Sequence, residues 1–247
     1  MAKVYLVLPD LSRPKLEAIA VLSKELGNLG LLVSFYTLKA KPKTLDRLRE
    51  LRERADVTVM LDSGAYHMAR LGLKLDVREY AGLASRHGDL FDVVVAPDVP
   101  GDPELTVVRT IKFSRLYAGD FMPVVQGRDV EEYVRCYREL RSLGLARYHR
   151  LGVGGLERFK REPALLGELV SKLCFKPLHL FGVGSRVLRL MATYDGCIRS
   201  IDSTAWLHEI RYRRRALGDG DPVRLNYNAI KAYLRRFYGD KMVGRGV

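Results

Sequence analysis

Short apolar runs rich in β-branched residues recur along the chain, and each is followed by a polar stretch whose apolar positions return with helical period. The runs predict strands at Val4–Leu8, Leu31–Tyr36, Val57–Leu61, Asp92–Ala96, Phe121–Val125, His149–Val153, Leu178–Gly182 and Cys197–Asp202. Between them the periodic stretches predict helices over Pro14–Leu26, Thr44–Arg54, Val77–His87, Pro103–Tyr117, Val130–Leu143, Pro163–Leu173 and Val187–Thr193. Pro14, Pro103 and Pro163 stand where a first-turn proline is tolerated, because the missing N–H would have no partner there. Beyond Trp206 come an eighth helix, a turn at Gly218–Pro222 and a closing helix near Asn226–Tyr238. Eight strand–helix repeats predict a closed parallel (β/α)8 barrel, a TIM barrel, rather than an open sheet.

Length agrees, since 247 residues match the roughly 250 of a one-domain α/β barrel. No linker, repeat or low-complexity segment interrupts the pattern, so residues 1–247 are expected to form one domain with a basic helical tail over about 205–247. No run approaches the roughly 18 apolar residues of a membrane span, and MAKVYLVLPD lacks a signal-peptide cleavage region. Cys136, Cys174 and Cys197 are widely spaced, an odd number without a CxxC, which argues against a disulfide framework. A cytoplasmic protein with no membrane association is the expectation.

Charge narrows the candidate partners. Forty-two Lys and Arg stand against 29 Asp and Glu, a formal +13. From Ala205 to Val247 there are ten Lys/Arg and four Asp/Glu, including Arg211, Arg213, Arg214 and Arg215. Such an excess favours polyanions, nucleic acid above all, while its plain alternative is a solvated helix face.

In this barrel type functional residues collect at the C-terminal ends of the strands. Those ends read Asp62-Ser63-Gly64, Pro97-Asp98, Gln126-Gly127, Gly152 to Gly155, Gly182 to Gly184 and Asp202-Ser203-Thr204. Carboxyl groups in a partly buried mouth have perturbed protonation, and glycines let a ligand approach the backbone. A single strand-end aspartate is as often a helix N-cap, and glycine turns can be phosphate cradles or merely tight turns. His67, His87, His149, His179 and His208 have no metal-ligand spacing and read as surface or packing residues.

The strand ends resemble a family. Leu61-Asp62-Ser63-Gly64-Ala65-Tyr66 is similar to the DSGG-aromatic motif of the tRNA-guanine transglycosylases (queuine/archaeosine tRNA-ribosyltransferases). Val124-Val125-Gln126-Gly127 resembles their VQG motif, and Leu151-Gly152-Val153-Gly154-Gly155-Leu156 their GGL turn. Leu180-Phe181-Gly182-Val183-Gly184 resembles their LMGVG motif, and Ser200-Ile201-Asp202 their FD strand end. The resemblance implies a glycosyltransferase that exchanges guanine in a polynucleotide for a free 7-deazaguanine base. It implies Asp202 as the nucleophile on the sugar C1′ and Asp62 as the general acid/base, the two-carboxylate logic of glycosyl transfer. Asp98, Gln126, Gly154 and Gly155 would bind the base edge, beside Ser63 and Gly182, with Tyr66 and Phe181 against its faces. Arg211, Arg213, Arg214 and Arg215 would contact nucleic acid.

Departures from the family qualify this. No cysteine follows Cys197, so no structural zinc is expected, and no cofactor. Ala65 replaces a glycine, Phe181 a methionine, and Ser-Thr-Ala-Trp follows Asp202. These losses resemble the compact branch acting on DNA, so DNA is placed ahead of tRNA as substrate. Two other readings are an inactive nucleic-acid-binding barrel and a barrel enzyme for a phosphorylated metabolite, its glycine turns holding phosphate.

Overall fold

The computed structural model describes residues 2–41, 43–156, 159–183, 188–194, 196–217 and 220–239, without the side chains of Lys160, Leu188, Arg189, Met191 and residues 213–217. Eight parallel strands run through it: β1 Lys3–Leu8, β2 Leu29–Ser34, β3 Val57–Asp62, β4 Val93–Val94, β5 Val124–Val125, β6 Leu151–Val153, β7 Leu178–Leu180 and β8 Ile198–Ser203. Their order, β4-β3-β2-β1-β8-β7-β6-β5, leaves β4 and β5 as the two ends of one sheet. A parallel bridge between Val95 and Met122 joins those ends. Met122 N donates to Val94 O at 2.8 Å and Ala96 N to Met122 O at 2.9 Å. The predicted (β/α)8 barrel is therefore the fold.

The major helices are α1 Arg13–Leu26, α2 Phe35–Ala40, α3 Lys43–Arg54, α4 Ala65–Arg70, α5 Val77–Arg86, α6 Pro103–Ser114, α7 Val130–Ser142, α8 Pro163–Leu173, α9 Leu188–Thr193, α10 Trp206–Leu217 and α11 Pro222–Tyr238. The sequence extends strand two to Tyr36, but Phe35 and Tyr36 are helical. The Ser34 side chain accepts the Thr37 N–H and caps α2, ending the strand. Asp76, Asp102, Asp129 and Asp221 cap α5, α6, α7 and α11 in the same way. The disulfide expectation is corrected as well. Cys174, at the C-terminus of α8, is bonded to Cys197, just before β8. Chain spacing gave no hint of this, because the pair meets only once the barrel brings neighbouring units together. The cysteine argument for a cytoplasmic address is lost with it. Among the described residues no helix is long and apolar enough to cross a membrane.

Two apolar layers form. The larger fills the space between strands and helices, with Phe35, Tyr80, Phe113, Tyr133, Phe159 and Trp206 all essentially inaccessible. The smaller lines the lumen: Tyr5, Leu32, Met60, Val93, Val95, Met122 and Val124. Several helix aromatics carry a polar atom to a strand. Tyr80 Oη donates to Val95 O at 2.6 Å and lies 3.3 Å from Leu61 O. Tyr133 Oη donates to Gly154 O at 2.6 Å, Trp206 Nε1 to Val7 O at 3.2 Å, and Tyr238 Oη accepts Val4 N–H at 2.8 Å. These bonds satisfy strand-end groups that the ladder leaves over, which is where an unpaired group is costly.

Tyr80→Phe keeps the ring in its stack against Phe113 and removes only the hydroxyl that Val95 O accepts. We expect a loss of about 1–3 kcal/mol, the cost of an unsatisfied buried carbonyl. Denaturant unfolding followed through Trp206, the single tryptophan of the chain, measures it. An unchanged midpoint would refute the role.

Candidate active site

Side chains of a strand alternate between lumen and helix layer, and the parity set by the lumen core selects which residues reach the mouth. On β3 the lumen residue Met60 is followed two places on by Asp62. On β5 Val124 is followed by Gln126, and on β8 Ser200 by Asp202. Asp98 follows β4 beside them. Four predicted residues are therefore brought to one rim.

Asp62 Oδ2 accepts the Gly64 N–H at 2.8 Å, and Gly64 holds φ at 73°, in the region glycine favours. Burial pushes the Asp62 carboxyl up to about 7, and the neighbouring charges of Asp98 and Asp202 add to it. Burial also raises Asp98, opposed by the amide of Gln126. Gln126 Nε2 donates to Asp98 Oδ2, and Gln126 Oε1 accepts the Gly101 N–H at 3.1 Å. Arg109 Nη1 braces the loop by donating to Asp98 O at 2.9 Å.

Gly154 and Gly155 have a definite job. A Cβ on Gly154 would stand 2.2 Å from Gln126 Nε2, and one on Gly155 2.2 Å from Gln126 Oε1. Their missing side chains make the seat for the Gln126 amide. Phe181 lies over Gly152, where a Cβ would come within 2.8 Å of its ring. It thus points into the lumen.

Asp202 is only 6% exposed, and its Oδ1 accepts the Gly182 N–H at 2.7 Å. The segments after Asp62 and Asp202 fold alike. Ser63 Oγ accepts the Ala65 N–H and Ser203 Oγ the Ala205 N–H, each turning the chain into the next helix. Ser63, fully buried, is thereby committed to the backbone. Tyr66 is on α4 and 48% exposed. Gly182 is in place, while Gly184 of the same turn lies outside the described residues.

Sequence reasoning missed the layer beneath. His179, read from the sequence as a surface or packing residue, is completely buried in the lumen. Its Nε2 is 3.4 Å from Asp202 Oδ1 and its Nδ1 2.8 Å from Ser200 Oγ. Arg150 Nη1 donates to the same Ser200 oxygen at 3.2 Å. Counting back by two from Asp202 and Phe181 would have found Ser200 and His179.

The basic tail is largely wall. Ile230, Tyr233 and Leu234 of α11 are buried, and Arg236 is paired with Glu209. Arg211 is exposed, whereas the side chains of Arg213, Arg214 and Arg215 lie outside those described. Among the described residues no group of three or more His, Cys, Asp or Glu is set to hold a metal ion.

No family model and no curated protein matches the chain. Solved structures do. The YdjI aldolase from Escherichia coli K12 is 15% identical at a TM-score of 0.69, covering 98% of this chain and 91% of that one. A putative fructose-1,6-biphosphate aldolase from Coccidioides immitis is 14% identical at 0.64, covering 98% and 89%. The N-acetylneuraminate lyase from Mycoplasma synoviae is 11% identical at 0.51, covering 98% and 84%. At such identity the likeness is one of fold. It corrects the reading as a tRNA-guanine transglycosylase, and with it base exchange with a 7-deazaguanine, the glycosyltransferase class and a DNA or tRNA partner. The neighbours are named as aldolases and lyases, and no family model supports the five motifs. The motifs misled for a physical reason: short Asp, Gln and Gly strand ends are what barrel geometry itself selects. Within the tail Lys231 is paired with Glu25 and Arg236 with Glu209, while Arg211, Arg224 and Arg235 are exposed.

The raised Asp62 has a consequence for stability. Between its ordinary value of 3.8 and about 7 the unfolded chain has lost the proton that the folded chain retains. Stability therefore falls as pH rises through that window and levels off above it. Asp62→Asn removes the effect, so its advantage over wild type should grow from pH 4.5 to 8.5 by about 2 kcal/mol, allowing for water at the half-buried carboxyl. Equal differences at both pH values in denaturant unfolding would disprove this.

Proposed function

We propose that the chain is a barrel enzyme using carboxyl acid–base chemistry to cleave a carbon–carbon bond in a small, unphosphorylated hydroxycarbonyl compound. The observation that carries this is Asp62, a strand-end carboxyl poised near neutrality among two others. A group that titrates near working pH can both take and return a proton. The aldolase and lyase neighbours favour the bond type, since their barrels match this one over nearly its whole length. The carboxyl groups at the mouth offer a phosphate no countercharge, and the burial that raises Asp62 and Asp98 also disfavours a charged ligand beside them, which favours a neutral substrate.

In the proposed reaction Asp62, as carboxylate, takes the proton from the substrate hydroxyl. The C–O bond becomes a carbonyl as the adjacent carbon–carbon bond breaks. Its electron pair moves to the neighbouring carbon, conjugated with the substrate's own carbonyl. Asp62 then returns its proton to that carbon, so no proton is gained or lost overall. Asp202, fixed by the Gly182 N–H, accepts from a substrate hydroxyl and orients it. The Asp98–Gln126 pair on its Gly154–Gly155 seat forms a polar side of the site, Phe181 offers an apolar face, and Tyr66 stands at the entrance. Ser63 shapes the turn that aims Asp62.

The test is a panel of uncharged hydroxyketones and hydroxyaldehydes, with the released carbonyl product trapped by a hydrazine. Wild type should cleave at least one, with a rate that changes through about pH 7. Asp62→Asn should be slower by about 100-fold or more. No turnover on the whole panel, or full activity in Asp62→Asn, would overturn the reading.

A further inference from the structure

His179 stands in the lumen among Tyr5 from β1, Arg150 before β6, Phe181 after β7, and Ser200 and Asp202 from β8. Its ring centroid is 5.6 Å from that of Tyr5 and 4.4 Å from that of Phe181, both edge-on. Its polar neighbours are placed in a chain: Arg150 Nη1 to Ser200 Oγ, Ser200 Oγ to His179 Nδ1, and His179 Nε2 facing Asp202 Oδ1. Among the described residues Nε2 has no hydrogen-bond partner of good geometry, although it is fully buried.

Each link constrains the next. A guanidinium can only donate, so Ser200 Oγ accepts from Arg150. The Ser200 hydroxyl proton can then point at His179 Nδ1, and with that proton donated Nδ1 accepts and carries none. In a neutral imidazole the proton must then be on Nε2. The far end of the chain requires the same answer, since an Nε2 lone pair facing a carboxylate oxygen would be repelled. An imidazolium is opposed first by complete burial and also by the nearby Arg150 charge, while Asp202 favours it.

We infer that His179 is a positioning residue for Asp202: a neutral imidazole whose tautomer is set by Arg150 through Ser200, and whose Nε2–H is turned toward the carboxylate. With the Gly182 N–H it converges on the same oxygen, Oδ1. This rests on Asp202 belonging to the working site, but its test needs no substrate. The analogy is with metal-binding and catalytic histidines, whose free nitrogen is likewise dictated by the partner of the other.

NMR of isotope-labelled imidazole nitrogens in the intact protein decides it. In wild type we expect one neutral His179 tautomer, protonated at Nε2, from about pH 6 to pH 8. Ser200→Ala should release the tautomer into a mixture, and Ser200→Thr, which restores a hydroxyl, should return it to one form. Asp202→Asn should shift the Nε2 proton upfield, because a charged acceptor has been lost. A purely packing histidine would show none of these responses. An Nδ1–H tautomer or an imidazolium in wild type would overturn the inference, as would an unmoved Nε2 proton in Asp202→Asn. The wild-type spectrum answers the first question even where a variant fails to fold. If the carbon–carbon cleavage assay fails while this tautomer is found, the substrate assignment falls and the positioning role stands.

Discussion

Closure of the sheet between β4 and β5 is the constraint on which the site depends. The two ends of the strand order are joined by a single bridge, Val95 to Met122, and a pair of backbone hydrogen bonds. Without it Asp98 and Gln126 would stand on opposite edges of an open sheet. With it, Asp98, after β4, and Gln126, after β5, become hydrogen-bonded neighbours. β4 and β5 are also the shortest strands, two residues each, so little ladder is available there. The structure compensates with side chains. Tyr80 bonds the Val95 carbonyl from the helix side, and the Asp98–Gln126 pair crosses the seam at the rim.

The lumen shows how polar groups can be buried in a barrel core. Its lower part holds Lys3 bonded to Thr58 at 2.6 Å, and its upper part holds Arg150, Ser200, His179 and Asp202. Charges there are expensive unless every neighbour answers them. Hydrogen bonds from Arg150 to Ser200 and between Ser200 and His179 meet part of that requirement, and His179 Nε2 faces the Asp202 carboxyl at 3.4 Å. Stability and positioning thus come from one arrangement.

Most of the fold was legible in the sequence because hydrophobic period alone distinguishes eight strand runs from the helices between them. The strand ends were legible too, and Asp62, Asp98, Gln126 and Asp202 do share a rim. What was not legible was of two kinds. Cys174 with Cys197, and His179 with Ser200 and Arg150, are contacts between different strand–helix units; strand alternation places His179 and Ser200 in the lumen, but no local pattern encodes which residues meet. Tyr36 was misread because an aromatic after Ser34 suits a strand as well as a capped helix, and only the hydroxyl bond to Thr37 decides.

Function was the least legible part, and the glycines show why. Gly154 and Gly155 read as room for a ligand or a phosphate, yet their space is taken by the Gln126 amide. A strand-end glycine reports only that something comes close to the backbone. Whether that something is a ligand or another part of the protein depends on a residue almost thirty positions earlier in the chain. The same holds for Ser63 and Ser203, which turn two helices in like fashion beside two aspartates of different surroundings. Asp62 has Asp98 for its strongest charged neighbour, whereas Asp202 has an imidazole and a backbone N–H. The chemical difference between the two carboxyl groups therefore arises from what the barrel packs around them. The near-identical Asp-Ser sequences that carry them could not have announced it.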